Sequence, residues 1–246
     1  CKFNTSSKKL VYLIGDSHMG QLLGDLKNKV VKRKYQFNTN VFGGCIYLRG
    51  FNFINLNNGK TSACNDEYYE KIENQISQYE NSILIFGGYF PLYLLEKVDS
   101  FIPVGKYNTL EDSIRDEILK FSKKNKIILI YPTPEIGQNP NQVILNKWVK
   151  QGFSNNFDMQ NFTISFDIFK NRTKSSFELL DSIQGNNIYR VYPHTLFCNT
   201  RIKNKCVTHD NKNIFYFDDH HLSPKGIEML NNLIMKEIEK IEIEFN

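Results

Sequence analysis

Short apolar runs alternate with helical patterns along the whole chain, and this alternation constrains the fold more than any other feature. Each run ends in glycine, proline or polar residues, and the segments between them repeat apolar residues at helical spacing. The predicted strands are Leu10–Ile14, Tyr35–Phe42, Ser82–Gly88, the run KIILIYP that ends at Pro132 and the run NIYRVYP. Such alternation predicts a parallel sheet that is covered by helices on both faces.

The sequence therefore predicts an α/β fold, a three-layer sandwich with a mainly parallel five-stranded sheet. No repeat, low-complexity tract or linker divides the chain, and 246 residues that are 41% hydrophobic suit one core. We therefore treat residues 1–246 as a single domain. Loops that leave the carboxyl ends of parallel strands meet at one edge of the sheet, so we expect the functional site at that edge.

The first predicted strand ends on Gly15-Asp16-Ser17-His18 and passes straight into a helical pattern. An ordinary β-to-α turn explains this pattern, because Gly15 frees the backbone and Asp16 or Ser17 can cap the helix. The same kind of turn presents a serine nucleophile in several hydrolase folds, since the hydroxyl is exposed and its N–H lies at a helix N-terminus. One turn alone does not decide between these interpretations.

A base for Ser17 is found near the other end of the chain. The segment FDDHHLSPKG places Asp218 three residues before His221, just ahead of the last predicted helix. At that spacing the Asp218 carboxylate can accept the imidazole Nδ1–H and leave Nε2 to take the serine proton. Paired histidines and solvated aspartates are also common in surface loops, but the presence of both motifs together favours a catalytic site. The backbone N–H of Ser17, together with that of Gly44 or Gly43, is expected to form the oxyanion hole.

Charge and hydropathy exclude other classes of protein. The 31 Lys and Arg residues against 26 Asp and Glu give a net charge of +5, without a dominant basic run, so no nucleic-acid partner is expected. No window approaches 18 consecutive apolar residues, so no membrane span is predicted. The chain begins at Cys1 without a signal pattern, and we expect it to be a piece of something longer.

The cysteines leave two interpretations open. They are Cys1, Cys45, Cys64, Cys198 and Cys206. None forms a Cys-x-x-Cys pair and no histidine lies at zinc-finger spacing, so we expect no metal and no cofactor. Two loop-closing disulfides with Cys1 left over would indicate an oxidising compartment, whereas five reduced thiols would indicate the cytosol.

Taken in order, these motifs resemble those of the SGNH (GDSL-like) hydrolases. More narrowly, the chain resembles the SGNH domain at the C-terminus of acyltransferase-3 type membrane proteins, which O-acetylate cell-surface and secreted glycans. The resemblance rests on LIGDSHMGQL, on Gly44-Cys45 followed by Cys64, on YPTPEIG, on LFCNT with a later cysteine, and on YFDDHHLSPKG. These segments span nearly the whole chain in the order of the family.

The resemblance implies an SGNH fold with Ser17 as nucleophile, Asp218 as orienting acid and His221 as base, without a cofactor. It also implies a periplasmic or otherwise extracytoplasmic location. The chain is then expected to be the soluble C-terminal part of a longer membrane protein, whose transmembrane domain supplies the acyl donor and the attachment to the membrane.

The resemblance also implies paired cysteines, which we expect to be Cys45–Cys64 and Cys198–Cys206. The candidate substrate-binding residues beside the expected catalytic group are His18, Tyr89 and His220.

The end of the third predicted strand departs from the family pattern. The wider SGNH group often has an asparagine there as an oxyanion donor, and the fused relatives often have an Ala-Arg-Trp-like segment. This chain has Gly87-Gly88-Tyr89 instead. The oxyanion hole is then expected to rest on two backbone donors with help from Tyr89 or a water, and losing one donor costs roughly 10²–10³ in rate.

The sequence thus predicts a serine-dependent O-acetyltransferase that acts on a glycan hydroxyl, such as that of a lipopolysaccharide, through an acyl-Ser17 intermediate, with side esterase activity. A dedicated glycan O-acetyl esterase is the alternative within the same chemistry. A non-catalytic glycan-binding module is the alternative from another class, with four aromatic residues as a sugar platform: Tyr89, Phe90, Tyr93 and Trp148.

Overall fold

The structure, a computed structural model, describes residues 2–3, 9–55, 58–95, 100–150, 152 and 162–244. Within these residues the strands are β1 (Lys2–Phe3), β2 (Leu10–Gly15), β3 (Gln36–Val41), β4 (Phe51–Asn55), β5 (Lys60–Thr61), β6 (Ile83–Phe86), β7 (Phe101–Pro103), β8 (Lys126–Ile130), β9 (Thr163–Ser165), β10 (Ile188–Val191) and β11 (Lys205–Val207). The helices are α1 (Ser17–Gly20), α2 (Leu23–Lys32), α3 (Asp66–Ile76), α4 (Phe90–Leu94), α5 (Leu110–Ser122), α6 (Pro140–Lys150), α7 (Phe166–Ser182), α8 (His194–Phe197) and α9 (Pro224–Glu244).

The central sheet has the strand order β1-β3-β2-β6-β8-β10. The last five of these strands pair in parallel, and β1 adds an antiparallel edge. In chain order the parallel strands run 2-1-3-4-5, which is the flavodoxin-like order. The predicted α/β fold with a mainly parallel five-stranded sheet is therefore confirmed, and β1 is an addition to it.

Strand β2 shows how the sheet separates two apolar layers. Val11 and Leu13 belong to the core that also holds α2 and α9, whereas Tyr12 and Ile14 belong to the core on the other face with α3 and α5. Both faces of the strand are buried, so its sequence is a continuous apolar run rather than an alternating one. The same burial fixes the register that brings Gly15 to the carboxyl edge of the sheet.

Helix ends agree with the capping pattern of the sequence. The Thr109 hydroxyl accepts a hydrogen bond from the Asp112 amide at the start of α5, at 3.1 Å. Ser223 precedes Pro224 at the start of α9, and its hydroxyl accepts from the Gly226 amide at 3.3 Å.

Among the residues that the structure describes, no helix combines the length and the apolar character that a membrane crossing requires.

Two small antiparallel sheets were not predicted from the sequence. One has the order β5-β4-β7. The other pairs β9 with β11. These strands have only two to five residues, and β4 with β7 and β9 with β11 pair across about 40 residues or more, so no local periodicity reveals them.

Both predicted disulfides are present, Cys45–Cys64 and Cys198–Cys206. The first closes the chain around β4 and β5, and the second joins the end of α8 to β11. The remaining cysteine, Cys1, lies outside the described residues.

Candidate active site

The turn after β2 requires glycine for a steric reason. Gly15 has φ of +150°, and a Cβ atom at this position would lie 2.2 Å from the carbonyl oxygen of Gly87. The two strand ends therefore approach each other more closely than a side chain allows. This contact brings the loop after β6 against the first turn of α1.

Asp16 fixes that turn from within the protein. Its carboxylate is 1% exposed and accepts hydrogen bonds from the His18 amide at 2.9 Å, the Tyr89 amide at 2.7 Å and the Tyr93 hydroxyl at 3.1 Å. Burial raises the pKa of Asp16, against the opposing effect of these hydrogen bonds. Asp16 is the N-cap of α1, which leaves the Ser17 hydroxyl unused by the cap.

A hydrogen-bonded chain connects residues from the two ends of the sequence. His221 Nε2 lies 3.0 Å from Ser17 Oγ, and His221 Nδ1 lies 2.8 Å from Asp218 Oδ2. Ser17 is half-buried, and the side chains of His221 and Asp218 are 25% and 26% exposed. The geometry is that of a hydroxyl, a base and an orienting carboxylate in a site that solvent and a substrate can reach.

The loop that carries His221 is ordered around Asp218. Asp218 Oδ1 accepts hydrogen bonds from the amides of His220 at 3.0 Å and His221 at 2.6 Å. Burial acts to raise the pKa of Asp218, but these amides and the His221 ring outweigh it and lower the pKa to about 2. The carboxylate is therefore ionised at neutral pH and can only accept, which fixes Nδ1 of His221 as the donor.

Two further contacts hold this loop against its neighbours. The side chain of Gln21 donates to the carbonyl oxygen of His18 at 2.9 Å and accepts from the Leu222 amide at 2.6 Å, so it connects α1 to the loop. The Ile136 amide donates to the carbonyl oxygen of Asp219 at 2.8 Å. Sequence reasoning missed Gln21, although its position four residues after Ser17 places it one helical turn away.

The oxyanion donors remain a prediction. Ser17 is the first residue of α1, so its N–H is not needed by the helix. Gly44 lies exposed in the turn after β3 with φ of +74°. Tyr89 differs from expectation, because its amide donates to Asp16 and its hydroxyl donates to Glu135 at 2.7 Å, so neither is a spare donor.

The three candidate substrate-binding residues form one aromatic cluster. His18 Nε2 and His220 Nδ1 lie 3.0 Å apart, and the two rings are parallel within 2° with centroids 5.1 Å apart, as in an edge-to-edge hydrogen bond. The Tyr89 ring stacks on both, with centroid distances of 4.5 Å to His18 and 4.9 Å to His220. His18 is only 7% exposed, so Tyr89 and His220 are the members that reach the surface.

Charged residues support the cluster from behind. Arg172 on α7 donates to both carboxylate oxygens of Glu135, at 2.8 and 2.7 Å, and to the Tyr89 hydroxyl at 3.3 Å.

Burial, followed by the charges of His220 and His221, lowers the pKa of His18 to about 3. His18 is therefore neutral at neutral pH.

Metal-binding potential is confined to this region within the described part of the chain. His18, His220 and His221 offer nitrogens within 4.8 Å of one another, and Asp218, Asp219 and His220 form a second such group. The imidazoles come from both ends of the sequence, so no local spacing predicts them.

The proposed aromatic platform does not form as a unit. Phe90 and Tyr93 are 2% and 5% exposed and belong to the core, whereas Trp148 is 36% exposed on α6. Only Tyr89 of the four lies beside Ser17 and His221 through the histidine cluster.

A cavity of about 340 Å³ lies elsewhere, at the amino ends of β8 and β10 near Lys126 and Asn187.

Comparison with known proteins places the chain in a family. The family described as "SGNH domain (fused to AT3 domains)" matches residues 1–236. The periplasmic domain of a lipopolysaccharide acetyltransferase from Salmonella ser. Paratyphi A has a similar structure, with a TM-score of 0.61 and 19% identity over 93% of this chain and 83% of that chain. At this identity the structural similarity shows the fold. No match was found among curated proteins.

Proposed function

This chain belongs to the family of SGNH domains fused to AT3 domains, and on that premise we propose that it transfers acetyl groups to a glycan hydroxyl through an acyl-Ser17 intermediate. The observation that carries the proposal is the chain of hydrogen bonds from Ser17 through His221 to Asp218. A nucleophile, a base and an orienting acid in contact are what covalent acyl transfer requires.

In the first step Ser17 Oγ attacks the carbonyl carbon of the acetyl donor and His221 Nε2 takes the hydroxyl proton. The charge that develops on the carbonyl oxygen is stabilised by the N–H groups of Ser17 and Gly44, with the α1 N-terminus adding a small favourable field. The tetrahedral intermediate formed by this attack then collapses. The bond to the leaving group breaks, the leaving group takes the proton from His221, and acetyl-Ser17 remains. Asp218 stabilises the imidazolium that forms.

In the second step a sugar hydroxyl replaces the donor. His221 Nε2 takes its proton while the hydroxyl oxygen attacks acetyl-Ser17, and the proton then returns to Ser17 Oγ as the ester product leaves. Tyr89 and His220 flank the triad and are the proposed contacts for the sugar. The buried His18 orients His220 from below through their hydrogen bond.

Hydrolysis is the second candidate function, and a specific observation favours it. Ser17 is half-buried and the other two triad side chains are about a quarter exposed, so water can reach the acetyl-enzyme. A dedicated glycan O-acetyl esterase would use the same steps with water as the acceptor. The family's fusion to AT3 domains supports transfer over hydrolysis, because such a fusion gives the serine a donor of its own.

The site of action follows from the same premise. We propose that this domain works on the extracytoplasmic side of a membrane, beside an acyltransferase domain that supplies the donor. The two disulfides support an oxidising compartment. The structural neighbour is itself a periplasmic domain.

The test is a competition between water and a saccharide for the acetyl group. We expect the chain, given an activated acetyl ester and a polysaccharide or lipopolysaccharide acceptor, to form O-acetylated saccharide that mass spectrometry detects. The Ser17→Ala protein is the matched control and should form none. Release of free acetate alone, at every acceptor concentration and for every glycan class tried, would favour the esterase.

A further inference from the structure

Three imidazole rings lie close to Ser17, although the proposed acyl transfer needs only one of them. The proposed chemistry uses one ring nitrogen of His221 for proton transfer. His18 and His220, 202 positions apart in the sequence, add two more rings, and one nitrogen of each of the three lies within 4.8 Å of the others. Clustered neutral imidazoles are the ligands that Zn²⁺, Cu²⁺ and Ni²⁺ prefer.

We propose that His18, His220 and His221 bind a divalent transition-metal ion of the zinc type, and that the bound ion switches acyl transfer off. The binding half of this inference stands on the geometry of the three rings. The inhibition half rests on the proposed function, because it requires His221 to be the base for Ser17.

The spacing of the nitrogens is close to that of a metal site. Zinc–nitrogen bonds of 2.0–2.1 Å at tetrahedral angles place the ligand nitrogens about 3.3 Å apart. His18 Nε2 and His220 Nδ1 are already 3.0 Å apart, so the ion would take the place of the proton they share. That proton moves to the outer nitrogen of the ring that held it, so the two rings keep the same number of protons.

The third ligand needs only a small movement. The three ligand nitrogens, one from each ring, lie no more than 4.8 Å apart, which exceeds the tetrahedral spacing by about 1.5 Å. His220 and His221 lie on the same loop with side chains 24% and 25% exposed, so their rings have room to turn toward a common point. Water can fill the fourth position, as in other open zinc sites.

The surroundings of His221 already match those of a metal ligand. Its Nδ1 faces Asp218 Oδ2 at 2.8 Å, and metal-binding histidines commonly donate their second ring N–H to a carboxylate in this way. The contact leaves Nε2 as the ligand atom. That atom is also the one that lies 3.0 Å from Ser17 Oγ, so a bound ion removes the acceptor of the serine proton.

Ion selectivity follows from the ligand type. The group offers three ring nitrogens, whereas Mg²⁺ and Ca²⁺ are bound by oxygen ligands. We therefore expect Zn²⁺, Cu²⁺ and Ni²⁺ to bind and Mg²⁺ and Ca²⁺ not to bind at the same concentration.

Calorimetric titration of the Ser17→Ala protein with Zn²⁺ tests binding apart from activity, because this variant keeps all three rings. We expect one ion per chain, and at least a tenfold loss of affinity when His220→Asn is added. His209→Asn in the same background is the matched control, because His209 is half-buried but outside the cluster, and it should bind as tightly as Ser17→Ala alone.

Absence of Zn²⁺ binding to the Ser17→Ala protein, or equal affinities in the His220→Asn and His209→Asn proteins, would overturn the metal site. Circular dichroism establishes that each variant is folded. Should the His220→Asn protein be unfolded, His221→Ala in the same background replaces it, with the same tenfold loss expected and unchanged affinity counting against the site.

Ester turnover of the unmodified chain tests the switch. It should fall with a midpoint equal to the Zn²⁺ dissociation constant, return on addition of EDTA, and be unaffected by Mg²⁺. Undiminished turnover at saturating Zn²⁺ would refute the switch. A chain without any turnover would instead contradict the proposed function, and the calorimetric result would still decide whether the site exists.

Discussion

Asp218 and Asp219 are neighbouring carboxylates in very different surroundings. Asp218 accepts from two backbone amides and from the His221 ring, whereas the Asp219 side chain is 55% exposed and 3.8 Å from His220 Nε2. Only Asp218 can hold His221 in the tautomer that leaves Nε2 free. The three-residue spacing from Asp218 to His221 in the sequence favoured the same carboxylate.

Replacing each of these carboxylates with an amide separates their roles. We expect Asp218→Asn to lower kcat for a small acetyl ester by about 10²–10⁴, because the amide favours the wrong imidazole tautomer. Asp219→Asn keeps its backbone carbonyl contact to Ile136 and should stay within about threefold of the unmodified chain. Steady-state kinetics on both folded variants measure the difference, and the reverse ranking would show that Asp219 is the orienting acid.

Residues adjacent to a motif could be predicted, and residues brought in by the fold could not. Ser17, Asp218 and His221 lie in short segments with recognisable spacing, so the sequence named them before the structure brought them together. Arg172 supports Tyr89 from α7, a helix that shares no pattern with either segment. Their contact depends on how α7 packs, which local sequence does not encode.

At the scale of elements, the approach of β2 to β6 depends on glycine. We expect Gly15→Ala to lower the free energy of unfolding by about 2–5 kcal/mol, since it combines an unfavourable φ with overpacking against Gly87. Gly24→Ala in α2 is the matched control, because a Cβ there meets nothing within 4 Å. It should raise stability by about 0.5–1 kcal/mol through helix propensity.

Urea denaturation of the two alanine variants measures these shifts through the midpoint at constant slope. Equal midpoints for the two variants would mean that the β2–β6 turn tolerates a side chain. The steric reason for glycine at position 15, the close approach of Gly87, would then be wrong.

Elements with strong local patterns were predictable, and elements made by distant pairing were not. The five parallel strands and α9 are long apolar or amphipathic runs, and each was predicted within a few residues of its observed ends. Strands β4, β7, β9 and β11 are short and gain stability from partners far along the chain, such as β11 for β9. Tertiary pairing, not local propensity, makes them strands.

At the scale of the whole molecule, the two disulfides stabilise loops that flank the central sheet. Their sequence separations of 19 and 8 residues correspond to about 3 kcal/mol each in the chain-entropy account, with the longer loop contributing slightly more. We expect dithiothreitol to lower the free energy of unfolding by a few kcal/mol. Peptide mapping of the unreduced protein should recover the Cys45–Cys64 and Cys198–Cys206 pairs, and crossed pairs would contradict the structure.

Segments from near the two ends of the chain meet on one face of the sheet, and that meeting forms the site. Asn231 on α9 is buried and donates to the carbonyl oxygen of Leu22 at 3.2 Å and to Asp25 at 3.0 Å, so α9 packs against the segment that follows Ser17. Formation of the triad thus depends on the complete sheet and its last helix. We expect this arrangement to activate Ser17 as a nucleophile.

Intact-protein mass spectrometry after exposure to an activated acetyl ester tests directly whether Ser17 is an activated nucleophile. Ser17 is half-buried and its hydroxyl contacts His221 near the surface, so Ser17→Ala should change stability by no more than about 1 kcal/mol and leave the chain folded. We expect the unmodified chain to gain one acetyl group, and we expect the adduct to map to Ser17. The folded Ser17→Ala protein should gain none. An adduct on His221 or a cysteine instead, or undiminished turnover in the folded Ser17→Ala protein, would contradict this expectation.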